Sequence, residues 1–250
     1  MLRRHVEGMV IIPAMQAETY LRRPEYLDAR IVTLDRPAPL PRFDSVLVEN
    51  MSGAAMAVKH LIGHGHKRIA CIGLSNAVYT MKMRHQGYLD ALRQAMLTPE
   101  PYLDFSSQES IAPTLTALLG RRDPPTAFFC TNNLTMRHTL LALSELGVAI
   151  PAGVAIVGFD DFELAAILSP TLTVVKQPSQ ELGSAGAALL FKRLQGSVGI
   201  PEAGERVVLP VELVVRRSCG CGASVTTDEG APSGKPILSE VIEAGVAAGL

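Results

Sequence analysis

The stretch Thr126-Ala127-Phe128-Phe129-Cys130-Thr131-Asn132-Asn133 carries the pattern that decides the fold: a short apolar run followed at once by polar residues. The run is continuously apolar rather than alternating, which predicts a strand buried on both faces of a parallel sheet. The same pattern recurs along the chain, at residues 9–12, 30–34, 68–72 and 154–157. These runs are therefore predicted to be the strands of a buried sheet.

Segments with helical spacing separate these runs. In one of them Met136, Leu140 and Leu143 share one face. Gly147 is placed to end this helix, and Pro151 beyond it prevents continuation. Similar stripes occur in three other segments: Ala54, Ala57, Val58, Leu61 and Ile62; Tyr88, Ala91, Leu92 and Ala95; and Leu182, Ala185 and Leu189. Strands that alternate with helices predict parallel βαβ units, and so an α/β fold with doubly wound layers.

The composition is that of an ordinary globular protein and argues against several classes. The 250 residues are 48% hydrophobic and 19% charged, and 23 Lys and Arg nearly balance 24 Asp and Glu. No overall positive charge draws this chain to nucleic acid or to an anionic membrane. Four cysteines are too few for a disulfide scaffold, which favours a reducing cytoplasm. The apolar run at residues 9–12 is shorter than that of a signal peptide and stops at Pro13, so neither export nor membrane insertion is predicted.

Polar residues follow the predicted strands where open α/β sheets bind their ligands, beyond the carboxyl ends of the strands. An arginine, amides, carboxylates and a nearby aromatic ring can hydrogen-bond to and stack on a polyhydroxylated or purine-like small molecule. The candidates from this argument are Asp35, Thr80, Arg84, Phe105, Asn132 and Asp160.

Several of these candidates have a purely structural alternative. Arg84 can be a solvated arginine, because charged helix residues usually face water. Asn132 and Asp160 can be N-caps of the helices that follow them, a common role of these residue types. Phe105 can belong to the core. The spacing alone indicates a site without deciding between these alternatives.

Two groups of potential metal ligands stand apart from these strand ends. His60, His64 and His66 are interleaved with glycines at a predicted helix end, where His also suits the negative end of the helix dipole. No ligand of another type is grouped near them at the spacing of a zinc site, so we predict no metal there. Cys219-Gly220-Cys221, at the end of the last predicted strand, lacks a second cysteine pair, so neither a metal nor a redox role is predicted.

The sequence lacks the motifs of the enzyme classes that use such a scaffold. It contains no G-x-S-x-G elbow, no phosphate loop of the form G-x-x-x-x-G-K-[ST], and no G-x-G-x-x-G after a strand. We therefore expect a protein that is not an enzyme and that uses no cofactor.

Longer motifs occur in a fixed order along residues 6–221. They include Val6-Glu7-Gly8-Met9-Val10-Ile11-Ile12-Pro13, Thr33-Leu34-Asp35-Arg36, Val48-Glu49-Asn50, Gly65-His66-Lys67-Arg68-Ile69-Ala70, Val157-Gly158-Phe159-Asp160-Asp161, Pro170-Thr171-Leu172-Thr173-Val174 and Leu213-Val214-Val215-Arg216-Arg217-Ser218. In this order they resemble the LacI/GalR family of bacterial repressors. The match is specific because the motifs together span nearly all of these residues.

The resemblance implies two Rossmann-like lobes of the periplasmic-binding-protein type, with an effector, most often a sugar, in the cleft. It places the six candidates in that cleft and adds Gln177. Arg84 would clamp hydroxyls or a carboxylate, Asn132 and Asp160 would bond further hydroxyls, and Phe105 would stack on the ring. It also implies a cytoplasmic homodimer that contacts operator DNA only through a headpiece. This chain departs from the family's usual residues at Asn133, Arg137 and His138.

The resemblance also sets the expected domain boundaries. Residues 1–48 and 177–202 would form a remnant of the N-terminal lobe, residues 49–176 and 203–221 the C-terminal lobe, and residues 222–250 a flexible tail. Family members begin with a helix-turn-helix, a hinge helix and two βα units; none of these precedes Met9, so we expect the first lobe to lack roughly 60 residues. The remnant would keep two strands, a helix between them and the helix from Ser179 to Gln195, and would expose a strand edge.

We therefore predict that the chain is the effector-sensing and dimerisation core of a transcription regulator. A sugar-binding protein of an ABC transporter shares the fold and is the alternative, and an enzyme on a doubly wound scaffold is a further one. If the chain is a transporter's binding protein, an extended N-terminus should contain an export signal. If it is a regulator, an extended N-terminus should contain a helix-turn-helix.

Overall fold

The structure, a computed structural model, describes residues 6–14, 20–23, 26, 29–74, 78–100, 103–105, 111–195 and 203–222. The chain divides into two compact units. The first comprises Met1–Asn50, Ala77–Thr80 and Gln177–Val211, and the second comprises Met51–Asn76, Met81–Lys176 and Glu212–Leu250. The predicted tail lies outside the described residues from residue 223 onward.

Strands and helices alternate between Asp44 and Leu209. In order they are β1 (Gly8–Ile11), β2 (Arg30–Leu34), β3 (Asp44–Val48), α1 (Asn50–Gly63), β4 (Ile69–Gly73), α2 (Tyr79–Gln94), β5 (Leu103–Asp104), α3 (Ile111–Leu119), β6 (Ala127–Cys130), α4 (Asn133–Glu145), β7 (Ala155–Phe159), a 3-10 helix (Glu163–Ala166), β8 (Thr173–Lys176), α5 (Ser179–Gln195), β9 (Arg206–Leu209) and β10 (Glu212–Val214). The predicted α/β class is confirmed. Across the described ranges, no helix combines the length and the apolar character that crossing a membrane requires.

A four-stranded parallel sheet, in the order β1-β2-β3-β9, forms the first unit. Helix α5 packs on it, with Leu189 against Val32 and Val46. The carboxylate of Asp44, which is 2% exposed, accepts hydrogen bonds from Nε and Nη2 of Arg193 at 2.8 and 2.7 Å. This two-pronged ion pair ties the end of α5 to the sheet and compensates for the burial of the Asp44 charge.

The prediction of only two strands in this unit is wrong. Strand β3 does not begin as an apolar run, because its first residues are the buried polar Asp44 and Ser45. Strand β9 alternates between exposed and half-buried residues and so lacks a continuous apolar run as well. Its pairing with β3 places residues 206–209 in the first unit, whereas the sequence analysis assigns them to the C-terminal lobe.

Strand β1 is also less buried than predicted. Val10 is 39% exposed, and Ile12 just beyond the strand is 62% exposed. The reason is its position, since β1 lies at the end of the described sheet and pairs there with β2 alone. Burial at every residue is instead reached by inner strands, β3 in this sheet and β4, β6 and β7 in the second.

The second unit contains a six-stranded sheet in the order β10-β8-β7-β6-β4-β5. Strand β10 runs antiparallel to β8 and the other pairs are parallel. Every residue of β4, β6 and β7 is buried, as predicted for continuous apolar runs. The chain passes from β4 outward to β5 and then back to β6 on the other side of β4. This change of direction marks where open α/β sheets bind ligands, beyond the carboxyl ends of β4 and β6.

Two glycines in the second unit are required by local geometry. A Cβ on Gly87 of α2 would collide with the carbonyl oxygen of Met51 in α1, so the two helices can approach this closely only at a glycine. Gly147 follows α4 with a φ of 66°, the left-handed conformation that ends a helix. The predicted end of α4 is thus confirmed.

Candidate functional site

Arg84 is a buried cation at the carboxyl ends of two strands. Its side chain is 2% exposed, and Nη1 donates to the carbonyl oxygen of Thr131 at 2.7 Å and to Oδ2 of Asp160 at 3.2 Å. Thr131 directly follows β6 and Asp160 directly follows β7, and these strands are neighbours in the sheet. The alternative of a solvated arginine is therefore wrong.

An aromatic ring also contacts the guanidinium. Cζ of Arg84 lies 3.7 Å from the centroid of the Phe159 ring, and Phe159 is fully buried at the end of β7. A desolvated contact between a cation and an aromatic face contributes about 2 kcal/mol. Phe159 is not among the site residues predicted from the sequence. The sequence signal that could identify Phe159 is an aromatic residue at the end of a buried strand, immediately before a carboxylate.

Asp160 reaches Arg84 from a backbone conformation that is rare outside glycine. Its φ is 75°, its backbone N–H donates to the carbonyl oxygen of Val175 at 2.8 Å, and its side chain remains 21% exposed. The N-cap of the following 3-10 helix is Phe162, so the N-cap alternative for Asp160 is wrong. Strained conformations of this kind cluster at functional sites. The left-handed conformation alone does not identify a site residue, because Met96, which is 93% exposed, also adopts it. The ion pair with Arg84 is what marks Asp160 as a candidate site residue.

Asn132 caps helix α4, as its structural alternative predicts. Its Oδ1 accepts hydrogen bonds from the backbone N–H of Thr135 at 2.9 Å and from the Thr135 hydroxyl at 2.8 Å. The Thr135 hydroxyl is in turn the acceptor for the Asn132 backbone N–H at 3.4 Å, which completes a capping box. The cap fixes the side chain of Asn132, which directly follows Thr131 in the chain. Thr131 is the residue whose carbonyl oxygen accepts a hydrogen bond from Arg84.

Phe105 belongs to the hydrophobic core of the second unit. It is 3% exposed and shares a cluster with Ile72 of β4 and Leu115 of α3. Its backbone N–H donates to the carbonyl oxygen of Gly73 at 2.8 Å. Phe105 is therefore a core residue, as its structural alternative predicts. Its stacking on a ligand stays a prediction.

The other three predicted site residues belong to the first unit. Thr80 is the second residue of α2 and is 3% exposed, and Gln177 directly follows β8. Asp35 directly follows β2 with a φ of 64°, and its Oδ2 lies 3.7 Å from Nε of Arg36. Among the predicted site residues, the structure thus brings Arg84 and Asp160 into direct contact and adds Thr131 and Phe159 to them.

The two adjacent carboxylates after β7 have different partners. Asp161 forms a two-pronged ion pair with Arg216, with distances of 3.0 Å to Nη1 and 2.9 Å to Nη2. Arg216 Nη1 also donates to the carbonyl oxygen of Leu172 at 2.7 Å. Asp161 therefore secures the chain after β10, whereas Asp160 holds Arg84.

The fold also joins the two groups of potential metal ligands that the sequence analysis sets aside. One ligand atom from each of His60, His64, Cys219 and Cys221 lies within 4.8 Å of all the others. The argument that no other ligand type is grouped near the histidines is thus wrong, because folding brings in cysteines from about 160 residues away. His66 is not a member: its Nδ1 lies 2.9 Å from the Thr126 hydroxyl.

Comparison with known proteins identifies the family. Residues 58–219 match the protein family described as periplasmic binding protein-like domain. This chain belongs to that family. The matched residues contain Arg84, Phe159 and Asp160, so the site described above lies within the periplasmic binding protein-like domain.

The periplasmic binding protein-like chain is similar to bacterial repressors. It is 33% identical over 186 residues to the HTH-type transcriptional repressor CytR of Escherichia coli K12, an alignment that covers 72% of this chain and 53% of CytR. A LacI family transcriptional regulator from Enterococcus faecium with bound ribose aligns with a TM-score of 0.72 and 26% identity, covering 86% of this chain and 80% of that one. The complex of the transcriptional regulator CelR with cellobiose gives a TM-score of 0.73 and 29% identity, covering 86% and 66%.

The predicted resemblance to LacI-type regulators and their effector-binding fold is therefore confirmed. The alignments cover 53% to 66% of the length of the first curated repressors that this chain matches.

Proposed function

We propose that this chain is the effector-sensing and dimerisation core of a LacI/GalR-type transcription regulator, with a sugar or a related small molecule as its effector. The observation that carries the proposal is the pair of Arg84 and Asp160 beyond the carboxyl ends of β6 and β7. It combines a buried, immobilised cation with a carboxylate that keeps partial access to solvent.

The pair supplies both kinds of hydrogen-bonding group that neighbouring sugar hydroxyls use. The guanidinium is a planar set of donors, and the carboxylate accepts from hydroxyls. Because Thr131 and Phe159 already hold Arg84, binding a ligand costs little additional side-chain entropy. In the same proposal Asn132 and the first-unit residues Asp35, Thr80 and Gln177 bond to the ligand, and Phe105 stacks on its ring.

The relatives favour a sugar and favour a regulator. The Enterococcus faecium regulator has bound ribose, and CelR is in complex with cellobiose. Both of these proteins, and CytR, are regulators or repressors, which favours this function over the sugar-binding protein of a transporter and over an enzyme. A regulator of this kind acts in the cytoplasm, and we assign operator contact to a helix-turn-helix headpiece of the family's type rather than to this nearly neutral chain.

A ligand panel tests the proposal. Ribose, cellobiose, other pentoses and hexoses, and nucleosides are added to the purified chain while its thermal unfolding is followed. A true effector at about 100 times its Kd stabilises the folded state by about 2.7 kcal/mol and so raises the Tm. Calorimetry then gives the Kd, and sedimentation velocity tests for a dimer.

Three outcomes would contradict parts of the proposal. A Tm raised by nucleosides and by no sugar would contradict the sugar class. A monomer at all concentrations would contradict dimerisation. Chemical conversion of the bound ligand would identify an enzyme instead.

A further inference from the structure

Two histidines and two cysteines converge at the edge of the second sheet that is opposite to the Arg84 site. His60 and His64 belong to the last turn of α1 and the residue after it, just before β4 begins. Cys219 and Cys221 follow Ser218, whose carbonyl oxygen accepts from the backbone N–H of Ile156 near the start of β7. The cluster thus lies at the amino ends of the strands, whereas Arg84 contacts residues at their carboxyl ends.

The distances among the four side chains are close to those of a tetrahedral metal site. Nε2 of His60 lies 3.2 Å from Sγ of Cys219 and 3.6 Å from Sγ of Cys221, and Nε2 of His64 lies 3.0 Å from Sγ of Cys221. With Zn–S bonds of about 2.3 Å and Zn–N bonds of about 2.0–2.1 Å, a tetrahedron places its ligand atoms about 3.3–3.8 Å apart. These three separations are at or just below that range and every pair of ligand atoms lies within 4.8 Å, so movements of about 1 Å bring all four atoms to one ion.

The backbone of each half favours this convergence. His60 and His64 are four residues apart, so they lie on the same face of a helix, and their ring centroids are 4.8 Å apart. Between the cysteines, Gly220 has a φ of 97°, a left-handed conformation that glycine adopts without strain. It lets the chain turn within a single residue, so that both thiols face the histidines.

A hydrogen-bonded threonine also holds the sulfur of the buried cysteine in place. Cys219 is 1% exposed, and the Thr173 hydroxyl donates to its sulfur at 3.1 Å. The same hydroxyl accepts from the backbone N–H of Arg216 at 2.8 Å, which fixes its direction. Hydrogen bonds to ligand atoms of this kind orient them and tune the bound metal.

We propose that His60, His64, Cys219 and Cys221 form a Cys2His2 zinc site. Two thiolates and two imidazoles in a closed tetrahedral set match structural zinc, while carboxylate-seeking ions such as Mg²⁺ and Ca²⁺ have no oxygen ligand in this set. The ion ties the chain after β10 to the end of α1, and so fastens the last described segment to the second unit. The site is independent of the effector proposal, because it shares no residue with it.

Metal analysis of the full chain tests the proposal. Protein purified under reducing conditions is equilibrated with Zn²⁺, desalted and measured by elemental mass spectrometry, and Co²⁺ is added in a parallel titration. The expected result is one equivalent of zinc, together with the visible absorption of tetrahedral cobalt and the thiolate-to-cobalt charge-transfer band. Chelation should lower the Tm of the native chain.

The variants His64→Asn and Cys221→Ser are expected to lose the zinc and the cobalt spectrum while keeping the circular dichroism of the native chain. His64 is exposed and Cys221 half-buried, so neither change disturbs the core. His66→Asn is the matched control, because it removes a nearby histidine outside the ligand set, and it should bind zinc like the native chain.

Three results would overturn the proposal. One is zinc well below one equivalent in the native chain, or a cobalt spectrum without the charge-transfer band. Another is full zinc retention by His64→Asn and Cys221→Ser. The last is a Cys219–Cys221 disulfide under the same reducing conditions, seen as a mass lower by a pair of hydrogens, because an oxidised pair cannot supply the thiolates.

Discussion

Replacing Asp160 with asparagine tests the ligand role of the carboxylate with little change to the backbone. Asparagine tolerates the left-handed conformation, so the φ of 75° is kept. The change removes the negative charge 3.2 Å from Nη1 of Arg84 and from any ligand hydroxyl that it binds. A hydrogen bond to a charged group contributes about 1.5–3 kcal/mol. We therefore expect affinity for the effector to fall by a factor of about 10 to 150.

The adjacent carboxylate provides a matched control. Asp161 pairs with Arg216 in a two-pronged geometry, and the two side chains are 19% and 17% exposed. Asp161→Asn weakens that ion pair without touching a proposed ligand residue. We expect its free energy of unfolding to fall by about 1–3 kcal/mol. Its effector affinity should equal that of the native chain.

Both variants are measured in the same two assays, calorimetry with the sugar that raises the Tm most and urea unfolding without ligand. The pair separates a binding defect from a folding defect, because each substitution exchanges one carboxylate for the same amide. Native affinity in Asp160→Asn would refute the proposed role of Asp160. An equal loss of affinity in both variants would show that the loss comes from the fold.

Four other expectations follow from single contacts. Arg84→Ala should weaken effector binding by about 1.5–3 kcal/mol in calorimetry, and unchanged affinity would contradict its role as a clamp. Asn132→Ala removes the cap of α4 and should reduce the free energy of unfolding in urea by about 1 kcal/mol. Gly87→Ala forces a Cβ against the Met51 carbonyl oxygen and should destabilise the chain by about 1–3 kcal/mol in the same assay, whereas native stability would show that the helices can separate. Burial raises the pKa of Cys130 to about 12, so its thiol stays protonated at neutral pH and should react with a thiol reagent only after unfolding; reaction in the native chain would contradict that burial.

Local pattern is sufficient to predict the buried elements whose sequence is continuously apolar or has a clear apolar stripe. Strands β4, β6 and β7 are continuous apolar runs, and the stripe of Met136, Leu140 and Leu143 is the buried face of α4. Strand β3 was missed because its first residue is a buried aspartate. Asp44 is stabilised there by Arg193, 149 residues away, and no local rule anticipates a buried charge whose partner is so distant.

The candidate site was predictable in part for a topological reason. The carboxyl ends of parallel strands lie at one edge of a sheet, so polar residues after β6 and β7 had to be neighbours there. Asp160 is predicted on this ground, and the structure pairs it with Arg84. Phe159 could not be predicted in this way, because an aromatic residue at the end of a strand has the same pattern whether it fills the core or supports a cation.

The His and Cys cluster shows why the same reasoning failed at the other edge of the sheet. Each half is visible in the sequence, as histidines near a helix end and as two cysteines around a glycine. The histidines are set aside because no ligand of another type is grouped near them in the sequence, and the cysteines because no second cysteine pair is present. The missing ligands of each half are supplied by the other, but the histidines and cysteines lie about 160 residues apart in the chain. They meet because α1 ends beside the start of β4, while the chain after β10 returns to the start of β7. In a doubly wound fold, residues that are distant in the sequence meet at the amino ends of the strands as well as at their carboxyl ends. Potential metal ligands near the amino ends of different strands must therefore be considered together as one possible site.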